Sequence, residues 1–415
     1  MMAIRARILV KPFTLWIGFL GLVMAIGAIA GLIVFVKGLG VTNLTDLVPW
    51  GLWITIDLSA IAMSAGAFLL CAAVYLLGLK RFQPVARTAT FIGLIGYSMA
   101  VLTLLLDIGR PDRFWHALVY WNTHSLLWEV TMCVTLYLTV LLLETAPIFG
   151  KLPWLQQRFP GVSRRMIGVH HLAPYLALIG LFLSMLHQSS LGATYGVLKA
   201  RPIWYRPDLS VLFMYSAIVG GPALTVLVSK LAARLTSRAN VNDDVLEQVM
   251  IFIGWALVGY IYFRFWDSLS MTYTYEPGRT ESLRMLTKGV LSFNFWVGEI
   301  LLVAVIPAII LLVPKLRRQP LLAFAALALV VGGVVAYRWD VNMAGQLVLL
   351  TYLPQEIEAI YTHYVPSLIE FLSGAGIVAY GVLAVSLGVY HLGIVDHRQV
   401  EEEVEAALPV AAAAD

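Results

Sequence analysis

Long apolar runs separated by short polar stretches recur along the whole chain, each long enough to cross about 30 Å of hydrocarbon as a helix. They fall at 14–36, 49–78, 88–109, 124–146, 168–187, 209–232, 247–267, 291–313, 320–338 and 367–391. The pattern predicts an all-α integral membrane protein of about ten transmembrane helices. The first run is longer than the apolar core of a secretory signal and lacks a small-residue cleavage site before Lys37, so it is expected to remain as a span. The fifth and ninth runs are short. Between the runs lie polar segments at 110–123, 188–208, 268–290 and 339–366, which read as long loops on one side of the membrane.

Composition agrees with this. The chain has 415 residues, 60% of them hydrophobic, and a mean hydropathy of +0.84, which excludes a water-soluble domain. Most of the 28 lysines and arginines follow alternate spans, in clusters around Arg5–Lys11, Lys80–Arg87, Lys151–Arg165, Lys230–Arg238 and Lys315–Arg318. Positive loops stay inside, so both termini are expected in the cytoplasm and the protein in a bacterial cytoplasmic membrane, as a multi-pass chain. That bias accounts for the net charge of +4 and gives no reason to invoke nucleic acid. The acidic, alanine-rich end from Val400 to Asp415 reads as a mobile cytoplasmic tail.

Ionisable side chains within the spans carry the chemistry. Asp57, Asp107, Glu129 and His187 all fall toward the outer side of the second to fifth spans. Such groups are costly in hydrocarbon, and a cluster of them marks a functional site. A histidine and carboxylates walled by Trp50, Trp53 and Trp128 suit quinone chemistry. A quinone takes up two electrons and two protons, and its carbonyls need hydrogen-bond donors that also deliver protons. Low dielectric favours the protonated carboxyl, which makes Asp57 and Glu129 candidate proton carriers at neutral pH. The plainer reading of Asp107 and Arg110 is an i,i+3 ion pair at the interface, and that of the tryptophans a membrane-interface belt. On span four, Glu129, Cys133, Tyr137 and Glu144 share much of one helical face, and Tyr97 on span three can join them as a proton path.

Other cofactors find little support. Cys71 and Cys133 are the only cysteines, too few for an iron–sulfur cluster. Of the eight histidines, His187 sits at an outer span end and His170 and His171 at the inner start of the same span, about 25 Å apart by helical rise. No second helix supplies haem partners, and no metal site is expected.

A faint internal echo relates Asp107–Arg110 to Arg264–Asp267 and Glu129 to Glu299. It suggests two four-helix bundles, spans two to five and six to nine, with spans one and ten peripheral. The expected units are 1–48 for the first peripheral helix, 49–208 for a bundle carrying the site and 209–340 for a second bundle. Residues 341–398 form an outer loop and the last helix, and 399–415 the tail. In the second bundle, Glu299, Arg264, Asp267, Arg338 and Asp340 are expected to neutralise one another.

Several of these segments resemble one family. Pro49–Trp50–Gly51–Leu52–Trp53 followed by Asp57, then Gly96–Tyr97–Ser98 leading to Asp107–Ile108–Gly109–Arg110, are similar to the NrfD/PsrC family of quinone-interacting membrane subunits. The Glu129 region and His187–Gln188–Ser189–Ser190–Leu191–Gly192 resemble it too, closest to the branch of HybB-type hydrogenase and Qrc menaquinone reductase membrane subunits. The resemblance implies two four-helix bundles and a menaquinone site at the outer end of the first. His187, Asp57 and Glu129 would act in catalysis there, and Asp107, Arg110, Gln188 and Ser189 in binding. It also implies an extracytoplasmic iron–sulfur subunit and a further donor or acceptor subunit, of hydrogenase, molybdopterin or multihaem cytochrome c type, with no haem or cluster in this chain. A secondary transporter and a passive membrane anchor remain the competing readings.

Overall fold

The computed structural model describes residues 12–398 except 353 and 355; the basic residues before Pro12 and the expected tail lie outside them. Ten helices among the described residues are long and apolar enough to cross a membrane. They are α1 (Pro12–Lys37), α2 (Leu52–Tyr75), α3 (Gln83–Asp107), α4 (Leu126–Gly150) and α5 (Ala173–Gly196). The series continues with α6 (Asp208–Leu235), α7 (Asp243–Tyr273), α8 (Asn294–Leu312), α9 (Pro320–Leu347) and α10 (Leu368–Leu387). Their starts follow local chemistry. Ser125 caps α4 by accepting from the Trp128 N–H, Asn242 caps α7 by accepting from Val245, and Ser367 with Glu370 forms a capping box on α10.

Helices α2 to α5 close one four-helix ring and α6 to α9 a second, while α1 and α10 pair and lie against α3 and α2. The two rings meet along α2 and α6. There a Cβ on Gly66 would sit 1.7 Å from the Ala217 carbonyl oxygen, and one on Gly221 1.9 Å from the Ala67 nitrogen. Only glycine permits that approach, and close contact of small residues is how membrane helices gain packing energy. Pro222 follows at once, lacking the N–H that would tie this part of α6 to its preceding turn.

Three features depart from the sequence expectation. The fifth helix does not stop at His187 but continues to Gly196, and the ninth continues past Arg338 to Leu347. In both, the polar extension is buried between helices; in α5 the hydroxyls of Ser189 and Thr194 bond their own helix carbonyls (2.9 Å each), and in α9 the Gln346 amide donates to the Asn342 carbonyl (3.0 Å). The chain is also not wholly α. Residues after α9 form an antiparallel hairpin, β1 (Val348–Tyr352) with β2 (Ile357–Tyr361), in register Leu350 opposite Ala359. Finally, Asn294–Val305 within α8 is π-helical, a widened turn found often at functional positions. The hairpin shares one end of the molecule with the loops after α1, α3, α5 and α7, hereafter the hairpin end. The described basic clusters, Lys80–Arg87, Lys151–Arg165, Lys230–Arg238 and Lys315–Arg318, lie at the other.

Candidate functional site: a polar layer between the two bundles

Helices α2 and α9 run antiparallel across the boundary, and two contacts fix their register. Asn342 donates to the Trp50 and Gly51 carbonyls (3.1 Å each) and to Thr55 Oγ1 (3.3 Å), whereas Val334 packs with Ala62 and Met63. Arg338 lies midway between Val334 and Asn342, and so stands level with Asp57 to Ser59. From α5, Gln188 Oε1 accepts from Arg338 Nη2 at 2.8 Å. From α6, the Phe213 carbonyl (3.0 Å) and Ser216 Oγ (2.9 Å) accept from the same nitrogen. From α3, the Tyr97 hydroxyl is hydrogen-bonded to His187 Nδ1. Five helices thus contribute to one polar layer. Tyr97, His187, Gln188 and Arg338 are 0% exposed and Asp57 3%.

The layer is conspicuous for what it leaves unpaired. His187 Nε2, Gln188 Nε2, Ser190 Oγ, Asp57 Oδ1, and Nε and Nη1 of Arg338 are all buried with no hydrogen-bond partner. An unsatisfied buried polar atom costs about 1–3 kcal/mol, so native proteins seldom tolerate even one without a water or ligand to complete it. Here Gln188 and Arg338 offer N–H donors, Asp57 offers an acceptor or a proton, and His187 Nε2 offers either. Such a set is chemically able to bind carbonyl oxygens and to exchange protons with them.

The sequence-selected residues divide over two levels. Asp57 and His187 belong to the layer. Asp107 lies ten residues beyond Tyr97 on α3, about 15 Å toward the hairpin end, half-buried with Oδ1 unpaired. Glu129 lies two turns beyond Tyr137 on α4, about 12 Å along the axis. It occupies the first helical turn, where the helix dipole suits a carboxylate. The expected single cluster at one depth is therefore corrected to an inner pair and two outlying carboxylates. Nor do Asp107 and Arg110 pair: the chain turns at Gly109, with φ +70°, and Arg110 instead binds exposed Asp112 through two 2.9 Å bonds. Those bonds hold the Asp112 carboxyl below the usual range.

The tryptophans also separate. Trp53 is buried in the seam between α2 and α10, its Nε1 donating to Ser373 Oγ (2.9 Å) and the Glu370 carbonyl (3.1 Å), which corrects its assignment as a pocket wall. Trp128 donates to the Ala117 carbonyl in the loop above α4 (2.9 Å). Trp50 stacks on Trp204 and meets Tyr195 edge-on, lining a cleft of about 540 Å³ with Pro49, Val197, Leu198, Lys199, Ala200 and Arg201. Ser189 hydrogen-bonds only its own helix, to Leu186.

Of the expected proton path, Tyr97 and Tyr137 meet edge-on at 4.5 Å between ring centres. Glu144 is half-buried further toward the basic end, with Oε1 unpaired. Sequence reasoning did not select Cys71 and Thr90, 3.0 Å apart on α2 and α3, for this stripe. Both cysteines are free thiols.

Arg338 is the principal residue that sequence reasoning misplaced. The second bundle does hold a neutralised network, but its second cation is Arg206. Arg264 binds Glu299 (2.6 Å) and Asp267, Arg206 binds Asp267 (2.6 Å), and Tyr260 donates to Glu299 (2.7 Å). Asp340 accepts from Asn294 at 2.8 Å. Arg338 turns away from all of them, stacks on Phe213 at 3.8 Å and reaches the first bundle. The signal was present: Arg338, Asn342 and Gln346 recur every fourth residue, one polar stripe on a helix that the hydropathy pattern ended too early.

Comparison with known proteins agrees with the motifs. A family model described as "Polysulphide reductase, NrfD" matches residues 40–350. The integral membrane subunit of menaquinone reductase from Nitratidesulfovibrio vulgaris (strain Hildenborough) is 34% identical over 94% of this chain and 93% of its own length. The integral membrane subunit of an Hdr-like menaquinol oxidoreductase from Archaeoglobus fulgidus is 26% identical over 88% and 90%. The probable Ni/Fe-hydrogenase 2 b-type cytochrome subunit of Escherichia coli is 27% identical over 72% and 74%. With a family match over residues 40–350, most of its length, this chain belongs to the NrfD family.

Proposed function

We propose that this chain is the quinone-reactive membrane subunit of a respiratory oxidoreductase complex. It binds menaquinone or menaquinol in the polar layer and exchanges electrons with an iron–sulfur subunit docked at the hairpin end. The observation that carries this reading is His187: fully buried, its Nδ1 held by Tyr97 and its Nε2 without a partner. Menaquinone or menaquinol chemistry in relatives covering nearly the whole chain supports it.

Reduction of the quinone consumes two electrons from the iron–sulfur partner and two protons, and yields quinol; oxidation is the reverse. His187 donates its Nε2 hydrogen bond to one carbonyl oxygen and passes a proton to it. Asp57, with a free Oδ1 at the same depth, relays the second proton, taking it up before passing it on. Glu129 and Asp107, nearer the hairpin end, are positioned to exchange protons with the aqueous side. The excess of lysine and arginine in the loops at the other end supports reading that side as the extracytoplasmic one. Longer outer loops, including the hairpin, provide the docking surface for the iron–sulfur subunit and its hydrogenase, molybdopterin or multihaem cytochrome partner. Tyr97, Tyr137, Cys71, Thr90 and Glu144 form the opposite proton route, toward the cytoplasm. A Glu144→Gln variant that still generates a full membrane potential during turnover would exclude that route.

The test of the site is binding of a fluorescent menaquinol analogue to the purified complex. Wild type is expected to show saturable quenching, and an assembled His187→Ala complex to lose about 10–100-fold in affinity, the cost of leaving a buried hydrogen-bond partner unsatisfied. Equal affinity in both would move the site elsewhere. No saturable binding in either would bring forward a transporter or a passive anchor.

A further inference from the structure

Arg338 is a buried guanidinium in a membrane-spanning helix whose charge no carboxylate meets. The two other arginines near the layer, buried Arg264 and half-buried Arg206, are matched one for one by Asp267 and Glu299. Arg338 has only neutral oxygens, all on Nη2, and its Nε and Nη1 are unpaired. Asp57 is the mirror case, a buried carboxylate with an unpaired oxygen and no cation bonded to it. The α2–α9 register sets the two at one depth on facing helices. An uncompensated charge of either sign is expensive in this medium, and two complementary ones on facing helices relieve each other across a gap that water or a ligand fills.

Orientation adds a second constraint. Phe213 beneath the guanidinium plane and three acceptors on one nitrogen fix the side chain, so its free edge is held rigidly. Gln188 shares that arrangement: its oxygen is taken by Arg338, so its amide nitrogen is left as a free donor beside His187 in the same turn of α5.

We propose that Arg338, contributed by the second bundle, is a substrate-binding residue of this site. Its Nε–Nη1 edge, with the Gln188 amide, receives the quinone carbonyl oxygen that His187 does not take, and Asp57 is its counter-charge. The proposal rests on the quinone reading for its ligand but not for its charge pairing. It gives the second bundle a defined part in the site and explains why the binding residues straddle two structural units.

The experiment uses the purified complex carrying Arg338→Met, Arg338→Lys, Asp57→Asn, or Arg338→Met with Asp57→Asn. Two readouts are taken, the thermal midpoint without quinone and the dissociation constant of a menaquinone analogue. Arg338→Met is expected to lower the midpoint, and the double variant to recover most of the loss because both charges are gone. Arg338→Lys is expected to keep the midpoint, since the charge remains. It should nevertheless lose at least about tenfold in affinity, since an ammonium lacks the planar fork. Additive losses in the double variant would overturn the counter-charge. Wild-type affinity in Arg338→Lys would overturn the contact with substrate, even if Arg338→Met failed to assemble. No quinone binding by wild type would instead refute the quinone reading, while the midpoint cycle would still decide the charge pairing.

Discussion

An imidazole with one nitrogen held and the other free is a directional hydrogen-bonding group, and the holding partner decides which proton it carries. At His187 that partner is the Tyr97 hydroxyl, which also packs against Tyr137. Tyr97→Phe keeps the ring and its packing and removes only the bond to Nδ1. We expect about a tenfold fall in kcat for quinone turnover with KM changed little, because binding through Nε2 survives while the proton relay behind it does not. Steady-state kinetics of the assembled complex check this; an unchanged kcat would mean that Tyr97 is only a packing residue. At this scale the sequence was informative where a residue type is rare in its setting. Asp57 and His187 stand out because carboxylates and imidazoles seldom enter hydrocarbon. Trp53 misled, because a tryptophan at a span end fits an interface belt, a pocket wall or a buried seam equally well, and only the Ser373 and Glu370 partners on α10 distinguish them.

Helix ends were harder to read than helix interiors. Hydropathy ended α5 at His187 and α9 at Arg338, because the residues beyond are polar or small. Both helices continue for more than two further turns, where other helices rather than lipid surround them. A buried polar stripe lowers mean hydropathy without ending a helix, so the method fails just where a site is built between helices. The α2–α6 crossing is a second element-scale feature hidden from composition, since Gly66 and Gly221 matter for what faces them. Gly66→Val is expected to destabilise the detergent-purified protein by about 3 kcal/mol or more, with the bundles forced apart. Gly18→Val, which meets nothing within 4 Å, is expected to be neutral. Thermal unfolding of the two variants compares them directly; equal stability would mean that the crossing is not a tight constraint.

For the whole molecule, the repeated apolar runs predicted ten spans, the internal echo and the family resemblance implied two bundles of four, and the paired α1 and α10 account for the peripheral helices. What they could not specify is that the candidate site, the polar layer, spans the boundary. Local sequence assigns Arg338 to the second ring and His187 to the first; the antiparallel register of α2 and α9 unites them. The central claim is that a quinone occupies the layer formed by Asp57, Tyr97, His187, Gln188 and Arg338. The most direct measurement is photolabelling of the wild-type complex with an azido-menaquinone, followed by peptide mapping, with unmodified menaquinone as competitor. Competable label on peptides containing Asp57, Tyr97, His187–Gln188 or Arg338 is the result this account predicts. Competable label confined to the cleft at Trp50, Val197–Arg201 and Trp204, with none in the layer, would contradict it.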